Sequence, residues 1–325
     1  MPDFTPVNLI TGFLGSGKTT LLQRLLADPA LADTAVLINE FGEVGLDHHL
    51  LERIDETMVL LQSGCLCCTI RGELSAAIKD LHSKRERGMV PAFRRLVVES
   101  SGLADPFPIL STVQADPVLR HHFRLGNVIT TVDAVNGLGR PESFKQVAVA
   151  DRLVLTKTDL APDCEALIAE LHSLNPDAPL LRAAEQPIGA AMLFDDGAHS
   201  PLRAFPAAVE APHGSVQSFT LTFDGALDWT MFGVWLTMLL NRHGDKVLRV
   251  KGILNVEGSD TPVAVHGVQH LVHPPTHMAA WPDADRRSRL VFIVEGLERS
   301  AIERSLAAFS GRPIGRSSPA ATTAE

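Results

Sequence analysis

Residues 12–19 read Gly-Phe-Leu-Gly-Ser-Gly-Lys-Thr and satisfy the phosphate-binding pattern G-x-x-x-x-G-K-[ST] at every fixed position. The spacing has a chemical purpose. Gly12, Gly15 and Gly17 let the backbone curl with its N–H groups turned inward on a phosphate, and a helix starting there adds the partial positive charge of its N-terminus. Ser16 and Thr20 complete the candidate lining. The Lys18 ammonium can reach β- and γ-phosphates, and the Thr19 hydroxyl can bind Mg²⁺. A chance Gly-rich turn would not need the complete spacing between a strand-like and a helix-like run. A second motif, Leu-Val-Val-Glu-Ser-Ser-Gly at 96–102, ends an apolar run in an acid. Glu99 would hold Mg²⁺ through water, and the Gly102 backbone would approach a γ-phosphate; the alternative is an ordinary acid at a strand end. Lys18, Thr19 and Glu99 are therefore the candidate catalytic residues.

Cys65, Cys67 and Cys68 place three of the chain's four cysteines within four positions. Thiolates suit Zn²⁺, Cu⁺ and Fe–S clusters, whereas a tetrahedral structural zinc site needs about four ligands. One Cys-x-Cys-Cys supplies at most three. An open position makes a poor structural site and a good transfer site, because the ion can leave by ligand exchange. A redox pair through Cys65 and Cys67 is the other reading. Upstream, Asn-Glu-Phe-Gly-Glu at 39–43 offers Glu40 and Glu43 as further metal ligands, in the stretch where P-loop GTPases sense the γ-phosphate. His48 and His49 are weaker candidates, more simply read as solvated. Cys164 stands alone and reads as structural.

Thr-Lys-Thr-Asp at 156–159 is a variant of the guanine signature Asn-Lys-x-Asp. The Asp159 carboxylate could accept from guanine N1–H and N2–H₂, while adenine would leave it unpaired. The Lys157 stem could cover the base face.

These residues need a frame to position them. Short apolar runs at Val7–Thr11, Ala35–Ile38, Met58–Leu61, Arg95–Glu99, Asn127–Val132, Arg152–Leu155 and Pro179–Leu181 read as strands buried on both faces. Helical patterns at Thr19–Ala27, Glu73–Lys84, Pro108–Gln114 and Cys164–Leu174 alternate with them. The expectation is α/β: a P-loop domain with a mostly parallel, doubly wound sheet over 1–185. A linker at 186–213 follows, with a short helical piece near Ile188–Phe194. Residues 214–311 read as a small α+β domain of order βαβββα, built on Val216–Phe223, Asp228–Arg242, Val247–Val256, Val263–Val272, Leu290–Val294 and Glu298–Phe309. The tail 312–325 is small, polar and expected to be disordered.

Bulk properties narrow the function. The chain has 325 residues, 45% hydrophobic and 21% charged, with a net charge of −9. An acidic balance argues against nucleic acid and anionic membranes. The N-terminus carries no basic, apolar secretion signal, and Trp229–Leu240 is too short to span a bilayer. A cytoplasmic, reducing location is expected, which favours thiols that bind metal.

The segments GFLGSGKTTLL, INEFGEVGLD, GCLCC, VVESSGLADP and TKTD, in that order, resemble the CobW-type GTPases, a SIMIBI-class group of metallochaperones; LRVKGILNVEG and VHGVQHLV are similar to that family's C-terminal domain. The resemblance implies slow GTP hydrolysis with Mg²⁺, metal binding at the cysteines, and delivery to a client metalloprotein. Zn²⁺ is the expected cargo, with Co²⁺ or Fe²⁺ as alternatives through cobalamin synthesis or nitrile hydratase activation. A metal-sensing GTPase regulator that transfers nothing is the other functional reading. The class also admits a nucleotide- or metal-dependent homodimer. Some relatives carry a long His-rich tract. This chain has spaced histidines, His266, His270, His273 and His277, read mainly as solvated. If 263–272 is one strand, His266 and His270 share a face and could form a second metal site.

Overall fold

A computed structural model gives the fold; it describes residues 4–38, 59–62, 70–161, 163–194 and 216–310. The chain divides into two compact units, Met1–Gly197 and Ala198–Glu325.

The first unit is a three-layer α/β domain. Its elements in chain order are β1 (Thr5–Gly12), α1 (Lys18–Leu26), a 3₁₀ turn (Pro29–Leu31), β2 (Thr34–Ile38), β3 (Val59–Gln62), α2 (Ile70–Glu86), β4 (Arg95–Glu99), α3 (Phe107–Ala115), α4 (Leu119–His122), β5 (Phe123–Asp133), α5 (Pro141–Ala148), β6 (Arg152–Thr156), α6 (Glu165–Leu174), β7 (Leu180–Arg182) and α7 (Ala190–Phe194). The seven strands are all parallel, in the order β3-β2-β4-β1-β5-β6-β7. Parallel strands need crossovers, and among the described residues α1 to α6 lie in them. That is why β1 is buried along its whole length. On one face Leu21, Leu22 and Leu25 of α1 and Leu193 and Phe194 of α7 pack over Ile10, Val36, Val97, Ile129 and Val154. The alternate residues Leu9, Leu37, Leu96, Val98 and Leu153 are equally buried.

Within the expected linker, α7 is therefore part of the first unit's core. Ala190 N donates to Asp28 Oδ2 at 2.9 Å and Asn127 Nδ2 to Leu193 O at 2.9 Å, which fixes the helix in place. The end of the linker and the tail 312–325 lie outside the described residues.

The second unit holds β8 (Val216–Phe223), α8 (Trp229–His243), β9 (Val247–Leu254), β10 (Val263–Val268), β11 (Leu271–Val272), β12 (Thr276–His277), β13 (Ser288–Glu295) and α9 (Arg299–Ser310). Its antiparallel sheet runs β11-β10-β9-β13-β8, with β12 beside β10. Asp228 caps α8 by accepting from Met231 N at 2.6 Å. Phe232, Trp235, Leu236, Leu239 and Leu240 recur at the three- and four-residue spacing of one helix face. They pack against Phe219, Phe292 and Val294 of the sheet and Ile302 and Leu306 of α9.

One expectation fails here. Residues 263–272 are not a continuous strand. The chain turns at Gln269, whose φ is 49°, and β11 folds back so that Gly267 pairs with Val272. The imidazole of His270 lies within hydrogen-bond distance of Leu240 O (2.9 Å) and Asp245 Oδ1 (3.0 Å), contacts that hold the turn. His266 and His270 accordingly do not share a strand face. Nor are all four histidines solvated: His266 and His273 are buried and stacked, with ring centroids 4.3 Å apart, and His277 is exposed. Among the described residues no group of three or more His, Cys, Asp or Glu could hold a metal ion, and no helix is long and apolar enough to cross a membrane.

Candidate nucleotide site

Four neighbouring strands, β4, β1, β5 and β6, deliver their carboxyl ends to one edge of the first sheet. The registers set Ile10 beside Glu99, Gly12 beside Thr131 and Asp133 beside Thr156. Ligands of open α/β sheets bind in this crevice, where the connections leave in opposite directions.

The 12–19 loop follows β1. Gly17 ends it at φ 90°, in the left-handed region, and no side chain caps the start of α1, an arrangement suited to an anion. The buried Lys18 ammonium donates to Gly12 O (3.0 Å) and Phe13 O (3.2 Å), spanning the loop it serves. Thr19 Oγ1 donates to Glu99 Oε1 at 2.7 Å. Glu99 is 3% exposed. A hydroxyl and a carboxylate oxygen are the hard donors that Mg²⁺ prefers, and the glycine loop with its ammonium has the donor set a nucleotide phosphate needs.

The segment after β4 runs against this loop. A Cβ on Gly102 would lie 2.5 Å from Leu14 N and 2.8 Å from Leu14 Cα. Only glycine allows that approach. Ser100 N donates to Ile10 O at 2.9 Å, and Ser100 Oγ to Thr11 Oγ1 at 2.8 Å, so the segment is pinned to the end of β1. Leu14, Gly15, Gly17, Lys18, Thr19, Thr20 and the 99–102 segment line a cavity of about 250 Å³. Gly15, Gly17, Lys18, Thr19, Thr20, Glu99 and Gly102 of the predicted phosphate and Mg²⁺ residues thus meet in one cavity. A larger cavity of about 400 Å³ lies on another side of the loop, between Phe13, Leu14 and Ser16 and the residues of β5 and α5.

The predicted base-reading segment is tied to the same loop. Thr156 Oγ1 donates to Ser16 O at 2.8 Å and to Val132 O at 3.2 Å. Ser16 Oγ lies 2.6 Å from Thr131 Oγ1. Thr156 stands where the guanine signature has Asn, and it braces the phosphate loop through its hydroxyl. Lys157 follows at φ 57°, and its ammonium donates to Asp133 Oδ2 at 2.6 Å. Asp133 also accepts from Val135 N and Asn136 Nδ2, both at 2.8 Å. Burial would raise the Asp133 carboxyl, but Lys157 and these donors outweigh it and hold its pKa below the usual carboxylate range. Asp159 is exposed at the edge of this group, as Thr20 is at the loop.

Several sequence candidates fall elsewhere. Glu40, Glu43, Cys65, Cys67 and Cys68, with His48 and His49, lie outside the described residues. Cys164 is buried at the start of α6. Sequence reasoning missed Asp133 and Gln146. The strand expected to end at Val132 runs one residue further, and α5 was not anticipated, although Pro141 at its first turn with Glu142 beside it is a start signal.

A parallel sheet with a glycine loop at its first strand end, a carboxylate at the next, and a hydroxyl linking them defines the P-loop class of nucleotide-binding domains. The comparisons agree and go further. Residues 6–182 match the CobW/HypB/UreG nucleotide-binding domain, and residues 216–310 match the cobalamin synthesis protein cobW C-terminal domain. The chain belongs to the CobW/HypB/UreG family. Its relatives include zinc chaperone YjiA of Escherichia coli (34% identical over 316 residues, 94% of this chain and 98% of YjiA). Zinc chaperone CobW of Pseudomonas aeruginosa is 28% identical over 345 residues, covering 93% and 90% of the two chains. Among solved structures, Zn(II)-bound YjiA GTPase from E. coli superposes with a TM-score of 0.72 at 30% identity, over 95% of this chain and 99% of that one.

Proposed function

We propose that this protein is a GTP-hydrolysing metal chaperone whose cargo is Zn²⁺, carried at Cys65, Cys67 and Cys68 and handed to a client metalloprotein. The observation that carries the reading is similarity to YjiA across both domains, with Lys18, Thr19, Glu99 and Gly102 lining one cleft. Lys18 would neutralise phosphate charge, Thr19 and Glu99 would hold Mg²⁺, and Lys157 and Asp159 would select guanine. Mg²⁺ bound there would neutralise charge that develops on the phosphate oxygens. Glu40 or Glu43, in the stretch that senses the γ-phosphate, would link nucleotide state to metal affinity. Zn²⁺ enters and leaves as substrate. Phosphoryl transfer depends on positioning and charge, so hydrolysis stays slow until metal or client completes the site.

Coupling between two sites is reciprocal. If GTP changes Zn²⁺ affinity by some factor, Zn²⁺ changes GTP affinity by the same factor. Zn²⁺ titration of the wild type and of Cys67→Ala, each with a non-hydrolysable GTP analogue and with GDP, tests this. The expected result is about tenfold or more between nucleotide states in the wild type, with affinity and coupling both lost in Cys67→Ala. Equal affinity in the two states overturns the mechanism. Activation of an apo-client beyond that produced by an equal amount of free Zn²⁺ separates transfer from sensing.

A further inference from the structure

Gln146 is 1% exposed, on α5, and its carboxamide reaches across to the segment after Glu99. Nε2 donates to Gly102 O at 3.1 Å and to Ala104 O at 3.3 Å. Two carbonyl oxygens as partners fix which end of the amide faces them, since only the NH₂ can donate. The other end, Oε1, is buried with no hydrogen-bond partner among the described residues. The contacts that Gln146 makes to this segment are therefore those of its donor end. The backbone carrying it is held as well: Thr130 Oγ1 donates to Gln146 O at 2.8 Å. Asn175 Nδ2 closes the end of α5 through Val147 O (2.7 Å) and Ala150 O (2.9 Å).

The two bonds hold Gly102 and Ala104 on either side of Leu103. Gly102 is the residue pressed against the phosphate loop at Leu14. Both carbonyls are acceptors that water could otherwise serve, and Gln146 instead fixes them from a rigid helix. We infer that Gln146 is a positioning residue for GTP hydrolysis: it holds the 102–104 segment in the conformation that presents the Gly102 backbone to the γ-phosphate. This rests on the GTPase reading above. Gln146 touches no reacting atom. It acts through Gly102, so its loss falls on the triphosphate state and spares the diphosphate state. The cavity of about 400 Å³, lined by Gln146 with Phe13, Leu14 and Ser16, borders the phosphate loop against which Gly102 packs, space into which the loop could relax once the clamp is gone.

The test compares wild type with Gln146→Leu, which keeps size and removes the donor. Expected are a kcat for GTP about tenfold lower and a weaker preference for a non-hydrolysable GTP analogue over GDP, with GDP affinity within about threefold. Unchanged kcat and preference overturn the proposal. So does a parallel loss of both affinities, which would mark mere support of the loop. A wild type that binds GTP without hydrolysing it would sink the GTPase reading instead, a distinguishable outcome. Gln146→Glu tests the donor without Leu. Its carboxyl, buried beside two carbonyl oxygens, titrates above the usual range. Protonated it can donate; ionised it cannot. Its rate relative to wild type should rise several-fold between pH 9 and pH 6, and a flat ratio overturns the proposal.

Discussion

At the scale of single residues, the site is a set of side chains with narrow duties. Thr156 is instructive. The guanine signature places a carboxamide there, and this chain has a hydroxyl. That hydroxyl reaches Ser16 O at 2.8 Å and braces the 156–159 segment against the phosphate loop. Lys157 sits at φ 57° with its ammonium held on Asp133, which fixes the course of the stem proposed to cover a base. Asp159 is the residue proposed to read the base edge. Asp159→Asn converts an acceptor pair into one acceptor and one donor, which matches xanthine, whose C2 carbonyl replaces the amine of guanine. The GDP-to-XDP affinity ratio should fall by roughly a hundredfold or more, measured by competition binding, because a mispaired buried edge is costly. An unchanged ratio would remove Asp159 from the base site.

At the scale of elements, strand ends do the positioning. Glu99, Gly12, Asp133 and Thr156 converge because β4, β1, β5 and β6 are neighbours whose carboxyl ends reach one edge. The segment leaving β4 is closely constrained. Gly102→Ala would set a methyl 2.5 Å from a backbone nitrogen, and backbone yields only by moving. Single-turnover GTP hydrolysis should slow by ten- to a hundredfold, while GDP affinity changes little. Full activity in that variant would mean that the segment does not contact the phosphate side during the reaction. These elements were legible in unequal degree. The strands were, because burial on both faces leaves short continuous apolar runs. Arg95–Glu99 was legible to the residue. Helix α5 was not: it has only eight residues, its polar Ser143 and Gln146 are buried, and Gln146 is held by tertiary hydrogen bonds that periodicity cannot reveal. The break at Gln269 was hidden for a similar reason, since contacts of His270 with α8 and Asp245 fix the turn.

At the scale of the whole molecule, two separate cores carry the chain, and a set of carboxylates couples its stability to pH. Burial would raise the Asp116 carboxyl, but Lys79, Ser75 and the N–H groups of Leu119 and Val118 hold it far below the usual range. Asp133 is depressed for the reasons given above. Asp285 is lowered to about 2, chiefly by Arg287. A carboxyl depressed in the folded state stabilises above its unfolded value of about 4, and that contribution is lost as pH falls through the folded value. Melting temperature should therefore be flat near neutrality and fall below about pH 4. Asp116→Asn should lower it at pH 7, and the gap to wild type should narrow by pH 2. A gap of constant width would show that the charge on Asp116 contributes nothing.

The sequence alone determined the class of the first domain, and it singled out the glycine loop, the acid at 99 and the 156–159 segment as candidates, because each is a local pattern whose chemistry needs fixed residues at fixed spacing. It also determined the hydrophobic spacing that makes α8 pack against a sheet. Only the tertiary structure decided that Thr19 meets Glu99, that Lys157 meets Asp133, and that Gln146 reaches Gly102. Those pairs lie 24 to 80 residues apart in the chain. Their meeting depends on strand order, and strand order follows from how helices cover both faces of the sheet, which no local spacing encodes.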